Sequence, residues 1–153
     1  MVKILFVCYG NICRSPMAQA VMADLVAQTG LQAKIAVDSA ATSTEEIGHG
    51  PHHGTRRVLA AHGVPCVEHR ARQLTRADYA EYDLLIGMES RNVRDMVRML
   101  GGDPQHKVRR LLDFTNAAGD IDDPWYTGDF ESTYRDVTRG CTALLRAVER
   151  LDD

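Results

Sequence analysis

A chain of 153 residues, 44% of them hydrophobic, can bury one core without disulfide staples, so we expect a single domain spanning 1–153. A formal net charge of -3 argues against broad binding to nucleic acids or membrane surfaces. The N-terminal run is too short to be a secretory signal, and no apolar stretch has the length of a membrane span, which favours a cytoplasmic location.

Strand-like and helix-like segments alternate along the sequence. Apolar and β-branched runs predict strands near 2–7, 34–38, 83–87 and 107–111. Helices are predicted near 16–29, 54–62, 75–79, 90–100 and 130–150. This order predicts an α/β fold, a four-stranded parallel sheet with helices on both faces, in a small flavodoxin-like sandwich. The long connections at 40–54 and 114–128 are expected to carry function.

The connection after the first strand reads Cys8-Tyr9-Gly10-Asn11-Ile12-Cys13-Arg14-Ser15. Ligand crevices of parallel sheets lie outside the carboxyl ends of strands, and Pro16 is typical of a helix start. Successive backbone N–H groups and a helix N-terminus would therefore face one point, which favours binding of an oxyanion such as phosphate. We expect Gly10 to supply a turn with positive φ.

Three side chains of this connection have chemistry suited to phosphate. The neighbouring guanidinium and the helix N-terminus favour the thiolate form of Cys8, which is a nucleophile. Arg14 can bind two phosphate oxygens in a fork, and the Ser15 hydroxyl could donate to the sulfur and ease its departure. The pattern predicts phosphoryl transfer through a cysteine. The alternative is that Cys8 and Cys13 are ordinary buried thiols and Arg14 a surface charge.

A second segment, Asp122-Asp123-Pro124-Trp125-Tyr126, offers the acid that this chemistry needs. Pro124 fixes the turn and biases Asp123 toward an extended conformation. Transfer from an ester requires a proton on the leaving oxygen, and a carboxyl group over the mouth of the anion site could supply it and then activate water. The alternative for Asp123 is a surface Asx-Pro turn.

Both segments resemble the low-molecular-weight protein tyrosine phosphatases, through Val-Cys-Tyr-Gly-Asn-Ile-Cys-Arg-Ser-Pro-Met-Ala and Asp-Pro-Trp-Tyr-Thr-Gly-Asp-Phe-Glu. Segments between them are also similar, namely Asp38-Ser39-Ala40-Ala41, His69-Arg70-Ala71-Arg72-Gln73-Leu74 and Met88-Glu89-Ser90-Arg91-Asn92. The resemblance runs essentially from end to end. It implies that Cys8 is the nucleophile, Arg14 the phosphate clamp and Asp123 the general acid, with Ser15 assisting the thiolate.

The resemblance also implies roles for supporting and substrate-binding residues. Asn11 would hold the loop in a strained shape through hydrogen bonds that include Ser39 and His69. Trp125 and Tyr126 would flank the substrate ring, and Tyr9 would line the same site. Relatives that dephosphorylate arginine carry threonine where this chain has Ile12, which favours phosphotyrosine over phosphoarginine. The implied partners are a phosphotyrosyl protein or small aryl phosphate, with inorganic phosphate as product and a monomeric or weakly self-associating enzyme.

Two positions depart from the family pattern. Glu45 stands where many members place an aromatic residue beside the phosphotyrosyl ring. A carboxylate there would not stack on the ring and would repel acidic peptides. The second departure is Glu89, where an aspartate is common.

Four cysteines, at 8, 13, 66 and 141, lack metal-ligand spacing, and we interpret His49, His52 and His53 as a polar loop rather than a zinc site. No cofactor and no metal are expected. If the first loop curls as proposed, Cys8 and Cys13 come within reach of a reversible disulfide, and the enzyme would be redox-sensitive.

Three alternative functions stay open at this point. One is a thioredoxin-coupled arsenate reductase of the same fold, which needs two further cysteines close together, and Cys66 and Cys141 are far apart in sequence. The second is a protein arginine phosphatase. The third is a non-catalytic phosphate-binding or phosphocysteine-carrier module, which would have no need of the Asp123 acid.

Overall fold

A parallel sheet organises this protein, whose computed structural model describes residues 1–151. Its strands are β1 (Val2–Cys8), β2 (Ile35–Ala41), β3 (Leu84–Gly87) and β4 (Val108–Arg110). The helices are α1 (Arg14–Gln28), α2 (His53–Ala61), α3 (Ala77–Glu81), α4 (Ser90–Leu100), α5 (Pro124–Thr127) and α6 (Phe130–Leu151), with a 3₁₀-helix at Leu111–Phe114. In the described part of the chain the four strands pair in parallel in the order β2-β1-β3-β4. The predicted α/β class is confirmed, and positions 152 and 153 of the predicted domain lie outside the described residues.

Strand β1 is buried on both faces, which explains its nearly continuous apolar sequence. Because successive side chains alternate between faces, Ile4 and Phe6 pack with α1, α2 and α6, whereas Leu5 and Val7 pack with α4. The helices therefore cover both faces of the sheet, as predicted. No helix within residues 1–151 is long and apolar enough to cross a membrane.

The carboxyl edge of the sheet brings the candidate residues together. Cys8 ends β1 and pairs with Ala41 at the end of β2, while β3 ends at Gly87, next to the start of α4. Parallel strands end at the same edge, so the connections that leave them meet there. This edge of the sheet positions the candidate active site.

Several boundaries differ from the prediction, and the causes are local. Helix α1 begins at Arg14 rather than at 16, so that Pro16 lies third in the first turn, where its missing N–H costs nothing. Strand β2 continues to Ala41 because its polar residue Ser39 is fully buried and bonded, which a hydrophobicity pattern does not reveal. Helix α3 lies two residues later than predicted. The 3₁₀-helix and α5 were not predicted, since four residues are too few to show a helical period.

Candidate active site

The loop after β1 curls around the sulfur of Cys8. The backbone N–H groups of Asn11 and Ser15 donate to Cys8 Sγ, at N···S distances of 3.3 and 3.4 Å. The Ser15 hydroxyl lies 3.0 Å from the same sulfur. Three polar hydrogens thus converge on the sulfur of a side chain that is only 3% exposed.

Asn11 holds the curl by four hydrogen bonds from a completely buried position. Its amide nitrogen donates to Ser15 Oγ at 2.8 Å and to Ser39 Oγ at 2.9 Å. Its carbonyl oxygen accepts from His69 Nε2 at 2.7 Å and from the Arg72 backbone N–H at 3.3 Å. Because the Ser15 oxygen already accepts from Asn11, its own hydroxyl proton is available to the Cys8 sulfur.

The left-handed turn of the loop is at Asn11, with φ 58°, and the expectation that Gly10 supplies it was wrong. Asparagine tolerates this region better than other side chains, and here its amide is fixed on both sides. Gly10 instead borders the recess, where an added Cβ would lie 3.5 Å from Glu46 Cγ.

Two further groups complete this buried network. Ser39 donates from Oγ to Gln19 Oε1 at 2.5 Å, which ties β2 to α1 beneath the loop. His69 Nδ1 lies 3.5 Å from Asp38 Oδ1. Burial lowers the pKa of His69, with Arg72 acting in the same direction and the charge of Asp38 opposing. We call Asn11, Ser15, Gln19, Ser39 and His69 the floor network.

Arg14 lies at the first position of α1 with its side chain 2% exposed. Its Nη1 donates to the Ile121 carbonyl at 2.8 Å and to the Glu89 carboxylate, and its Nη2 donates to Asp123 Oδ2 at 3.4 Å. Burial opposes its charge, but the charges of Cys8, Asp123 and Glu89 outweigh burial and raise the pKa of the guanidinium. Its Nε is buried and has no hydrogen-bond partner among the described residues.

Glu89 and Ile121 were not assigned to the site from the sequence. Glu89 precedes α4, where its backbone N–H donates to the buried Asn92 side chain at 3.2 Å, and this fixes the carboxylate next to Arg14. The Ile121 carbonyl comes from the segment before α5. Glu89, one of the two positions that depart from the family pattern, thus contacts Arg14, the predicted phosphate clamp.

A recess of about 90 Å³ opens above Cys8. Trp125 and Tyr126, respectively 56% and 81% exposed, line it together with Tyr9 and Glu45. The Tyr9 hydroxyl donates to Glu45 Oε1 at 2.8 Å, and this bond, together with partial burial, raises the pKa of Tyr9. The complete lining is Cys8, Tyr9, Gly10, Ile12, Cys13, Arg14, Glu45, Glu46, Asp123, Trp125 and Tyr126.

Asp123 lies at the mouth of this recess as the N-cap of α5. Its backbone is extended, as predicted, and its Oδ1 accepts from the Trp125 backbone N–H at 3.1 Å. Pro124 follows at the first helical position, which fits its fixed φ. The other carboxylate oxygen faces Arg14, so the Asp123 side chain is held between the α5 N-terminus and a guanidinium.

Cys13 caps α1 and packs with Ile12, Ala71 and Phe130. Burial, followed by the charges of Cys8 and Asp123, raises its pKa to about 12. Both Cys8 and Cys13 are free thiols. The reversible disulfide between them stays a prediction.

Among residues 1–151, no group of three or more His, Cys, Asp or Glu side chains is arranged to hold a metal ion. His49 pairs with Glu46, whereas His52 is half-buried and packs its ring on Phe130. His49 and His52 lie outside helices and strands, as the interpretation of a polar loop expects, whereas His53 is the first residue of α2. The packing of the His52 ring on Phe130, 78 positions away, is a contact that a local pattern does not show.

Comparison with known proteins identifies the family to which this chain belongs. The family model described as low molecular weight phosphotyrosine protein phosphatase matches residues 3–152. The chain belongs to this family. Its members are hydrolases that act on phosphotyrosine.

The relatives cover nearly the whole chain. The low molecular weight protein-tyrosine-phosphatase YfkJ of Bacillus subtilis is 39% identical over 152 residues, which are 98% of this chain and 97% of that protein. The crystal structure of YfkJ superposes with a TM-score of 0.96, covering 100% of this chain and 98% of the other. The crystal structure of a Drosophila arginine phosphatase superposes with a TM-score of 0.86 at 29% identity, covering 95% and 97% of the two chains.

Proposed function

We propose that this enzyme hydrolyses phosphotyrosine through a phosphocysteine intermediate on Cys8. The observation that carries the proposal is the set of N–H and O–H groups from Asn11 and Ser15 that converge on the Cys8 sulfur beside the buried Arg14. Cys8 and Arg14, the proposed nucleophile and anion clamp, line the same recess. The unpartnered Arg14 Nε supports this use, because a buried guanidinium nitrogen needs an acceptor and a phosphate oxygen can provide it.

In the first step, the Cys8 thiolate attacks phosphorus, an S–P bond forms and the P–O bond to the tyrosyl oxygen breaks. Asp123, in its protonated form, transfers its proton to the leaving phenolate, so the products are neutral phenol and the Asp123 carboxylate. Arg14 and the loop N–H groups hold the phosphoryl oxygens in line. The Asp123 carboxyl fits this role because it lines the same recess as Cys8.

In the second step, the Asp123 carboxylate removes a proton from water as the water oxygen attacks phosphorus. The S–P bond breaks, inorganic phosphate is released, and the electron pair returns to the Cys8 sulfur. The Ser15 hydroxyl, whose oxygen already accepts from Asn11, donates to the departing thiolate and stabilises it. Asp123 returns to its protonated form, so that atoms and charges balance over the cycle.

The aromatic side chains that line the recess support an aryl phosphate as substrate. Trp125 and Tyr126 are largely exposed at its rim, as expected of surfaces that stack on a tyrosyl ring. Ile12 is buried at 8% exposure and offers no hydroxyl to a guanidinium phosphate. Since an arginine phosphatase has the same fold, the side chains of the recess, and not the fold, favour phosphotyrosine.

The arsenate reductase alternative receives no support from the other cysteines. Cys141 is fully buried beside the Ala18 carbonyl, and burial strongly raises the pKa of its thiol. Cys66 lies next to Arg56, outside the recess lining. A non-catalytic binder would have no use for a carboxyl group at the mouth, whereas Asp123 is held there by two contacts.

The decisive test compares Cys8→Ser with wild type on a phosphotyrosyl and a phosphoarginyl peptide, in reductant and without added metal. We expect wild-type turnover of phosphotyrosine that Cys8→Ser abolishes, because the serine hydroxyl is not ionised. Cys66→Ser is the matched control and should retain full activity, since Cys66 lies outside the recess. Absence of phosphotyrosine turnover in wild type, or full activity in Cys8→Ser, would refute the proposal.

A further inference from the structure

His52 lies outside the recess lining but contacts the backbone that builds it. Its backbone N–H donates to the Ile12 carbonyl at 2.7 Å, within the loop that surrounds Cys8. Its ring nitrogen Nδ1 accepts from the Gly54 backbone N–H at 3.0 Å, so His52 is the N-cap of α2. Thr55, in the first turn of α2, donates from its hydroxyl to the Cys13 carbonyl at 3.0 Å. The start of α2 is thus bonded to the loop at two successive carbonyls.

The His52 ring lies between two aromatic side chains. It stacks on Phe130, with centroids 5.1 Å apart and an interplanar angle of 16°, and meets Trp125 edge-on at 5.7 Å and 80°. Space around Phe130 is tight, since a Cβ on Gly54 would lie 2.5 Å from its ring. The position of the His52 ring is therefore fixed by α2 on one side and by the first residue of α6 on the other.

Helix α5 needs outside contacts to keep its place. It has only four residues, Pro124–Thr127, and so short a helix is not stable by itself. Its two large side chains, Trp125 and Tyr126, are mostly exposed. Among residues 1–151, the edge-on contact with the His52 ring is the only ring contact that Trp125 makes.

We propose that His52 is a positioning residue that holds Trp125, and with it α5, against the Cys8 loop. This inference rests on the proposed function, in which Trp125 forms a wall for the substrate ring and Asp123 caps the same helix. The ring of His52 acts through Trp125 and touches no reacting atom. Its loss should weaken binding of the aryl group, which raises KM, and should change kcat less.

The charge state of His52 gives this role a signature. Burial lowers its pKa below 6.5, the neighbouring His53 adds to the effect, and Glu46 opposes it. The groups that face it from α5 and α6 are the uncharged rings of Trp125 and Phe130. A proton on Nδ1 would oppose the Gly54 N–H, so the neutral ring caps α2, and this capped arrangement is lost as pH falls through the lowered pKa of His52.

Two variants separate the ring from the hydrogen-bond acceptor. His52→Phe keeps an aromatic ring without the acceptor, whereas His52→Asn keeps an N-cap acceptor without the ring. His62→Asn is the matched control, because His62 stacks on Tyr134 at 4.0 Å at the other end of α2. We expect His52→Asn to raise KM for a phosphotyrosyl peptide about two- to tenfold, the factor that one aromatic pair supplies. His52→Phe and His62→Asn should keep KM near wild type.

Trp125 is the sole tryptophan of the sequence, so intrinsic fluorescence reports this contact without any turnover. In wild type the emission should titrate below pH 6.5, and the titration should vanish in both His52 variants but persist in His62→Asn. A wild-type KM in His52→Asn, an equal KM rise in His52→Phe, or a titration that survives both His52 variants would overturn the inference. If the wild-type enzyme does not turn over phosphotyrosine, the proposed function is refuted instead. The fluorescence titration then still shows whether His52 contacts Trp125.

Discussion

The floor and the rim of the recess are built in different ways. On the floor, Asn11 and Ser39 are completely buried, and their polar atoms are bonded to one another and to neighbouring elements. On the rim, Trp125, Tyr126 and Glu45 are exposed, and the contacts that hold them are few. The floor combines residues of β2, of α1, of the loop after β1 and of the segment that carries His69, whereas the rim consists of a loop and a helix of four residues.

This difference separates two tasks of the enzyme. A buried, fully bonded network keeps a single geometry, which transfer of a phosphoryl group between fixed atoms requires. An exposed rim can change its side chains at little cost in stability, and it contacts the part of the substrate that varies. Under our proposal the floor determines the reaction and the rim determines the choice of substrate.

Asp123 lies where floor and rim meet, and its removal should have the largest effect. Asp123→Ala takes away the proposed proton donor while Cys8 and Arg14 remain, so we expect kcat for phosphotyrosine to fall about 10²- to 10⁴-fold with a much smaller change in KM. The measurement is steady-state hydrolysis of a phosphotyrosyl peptide.

The leaving group provides the control for this prediction. p-Nitrophenolate is a weaker base than the tyrosyl phenolate and departs with less help, so Asp123→Ala should lose less rate on p-nitrophenyl phosphate. Equal losses on both substrates would assign Asp123 to the support of Arg14, its neighbour at 3.4 Å, and not to proton transfer.

Asn11 tests whether the floor acts as one unit. Asn11→Gly keeps the left-handed backbone at φ 58° but removes four hydrogen bonds, whereas Asn11→Ala adds backbone strain. We expect Asn11→Gly to lose about a hundredfold in kcat/KM, because the loop around the sulfur loosens. It should also lower the free energy of unfolding by about 2 to 4 kcal/mol through unpaired buried groups.

The matched variant for this experiment is Asn11→Ala, which should be less stable than Asn11→Gly. Urea unfolding and peptide kinetics on both proteins separate the network from the turn. If Asn11→Gly retained wild-type kcat/KM, the hydrogen-bond network would not be needed for the reaction, and the contrast between floor and rim would lose its basis.

The sequence predicted the loop around Cys8 better than the contacts that support Arg14, and the reason is distance along the chain. The cysteine, the arginine and the turn lie within eight residues, so a short pattern shows them together. Glu89 and Ile121 contact Arg14 from 75 and 107 positions away, and no local pattern reveals such neighbours. The turn itself was misplaced by one residue, because a bonded Asn11 can replace glycine at positive φ.

Glu45 tests the rim, and a smaller effect is expected there. Glu45→Trp supplies a ring for stacking, so KM for aryl phosphates should fall about two- to tenfold with kcat unchanged. Glu45→Gln serves as the control, because its amide oxygen can still accept from the Tyr9 hydroxyl without the charge. An unchanged KM in Glu45→Trp would remove this position from the substrate wall, and an equal fall in Glu45→Gln would assign the effect to charge.

The smallest effect concerns how pH acts on the floor through His69. The Asn11 carbonyl can only accept, so His69 Nε2 carries the proton in that bond, and Nδ1 is the atom that would titrate. Burial lowers the pKa of His69 in the folded protein below 6.5. At pH values between the folded-state and unfolded-state pKa of His69, the unfolded chain binds more protons than the folded protein. The contribution of His69 to stability is therefore complete above pH 6.5 and declines as pH falls toward the folded-state pKa.

Urea midpoints measured across this pH range should fall less steeply in His69→Gln, whose amide can still donate to Asn11. Equal slopes of the urea midpoint against pH in wild type and His69→Gln would mean that His69 has the same pKa in the folded and unfolded states. The floor would then be open to solvent, which the 11% exposure of the His69 side chain argues against.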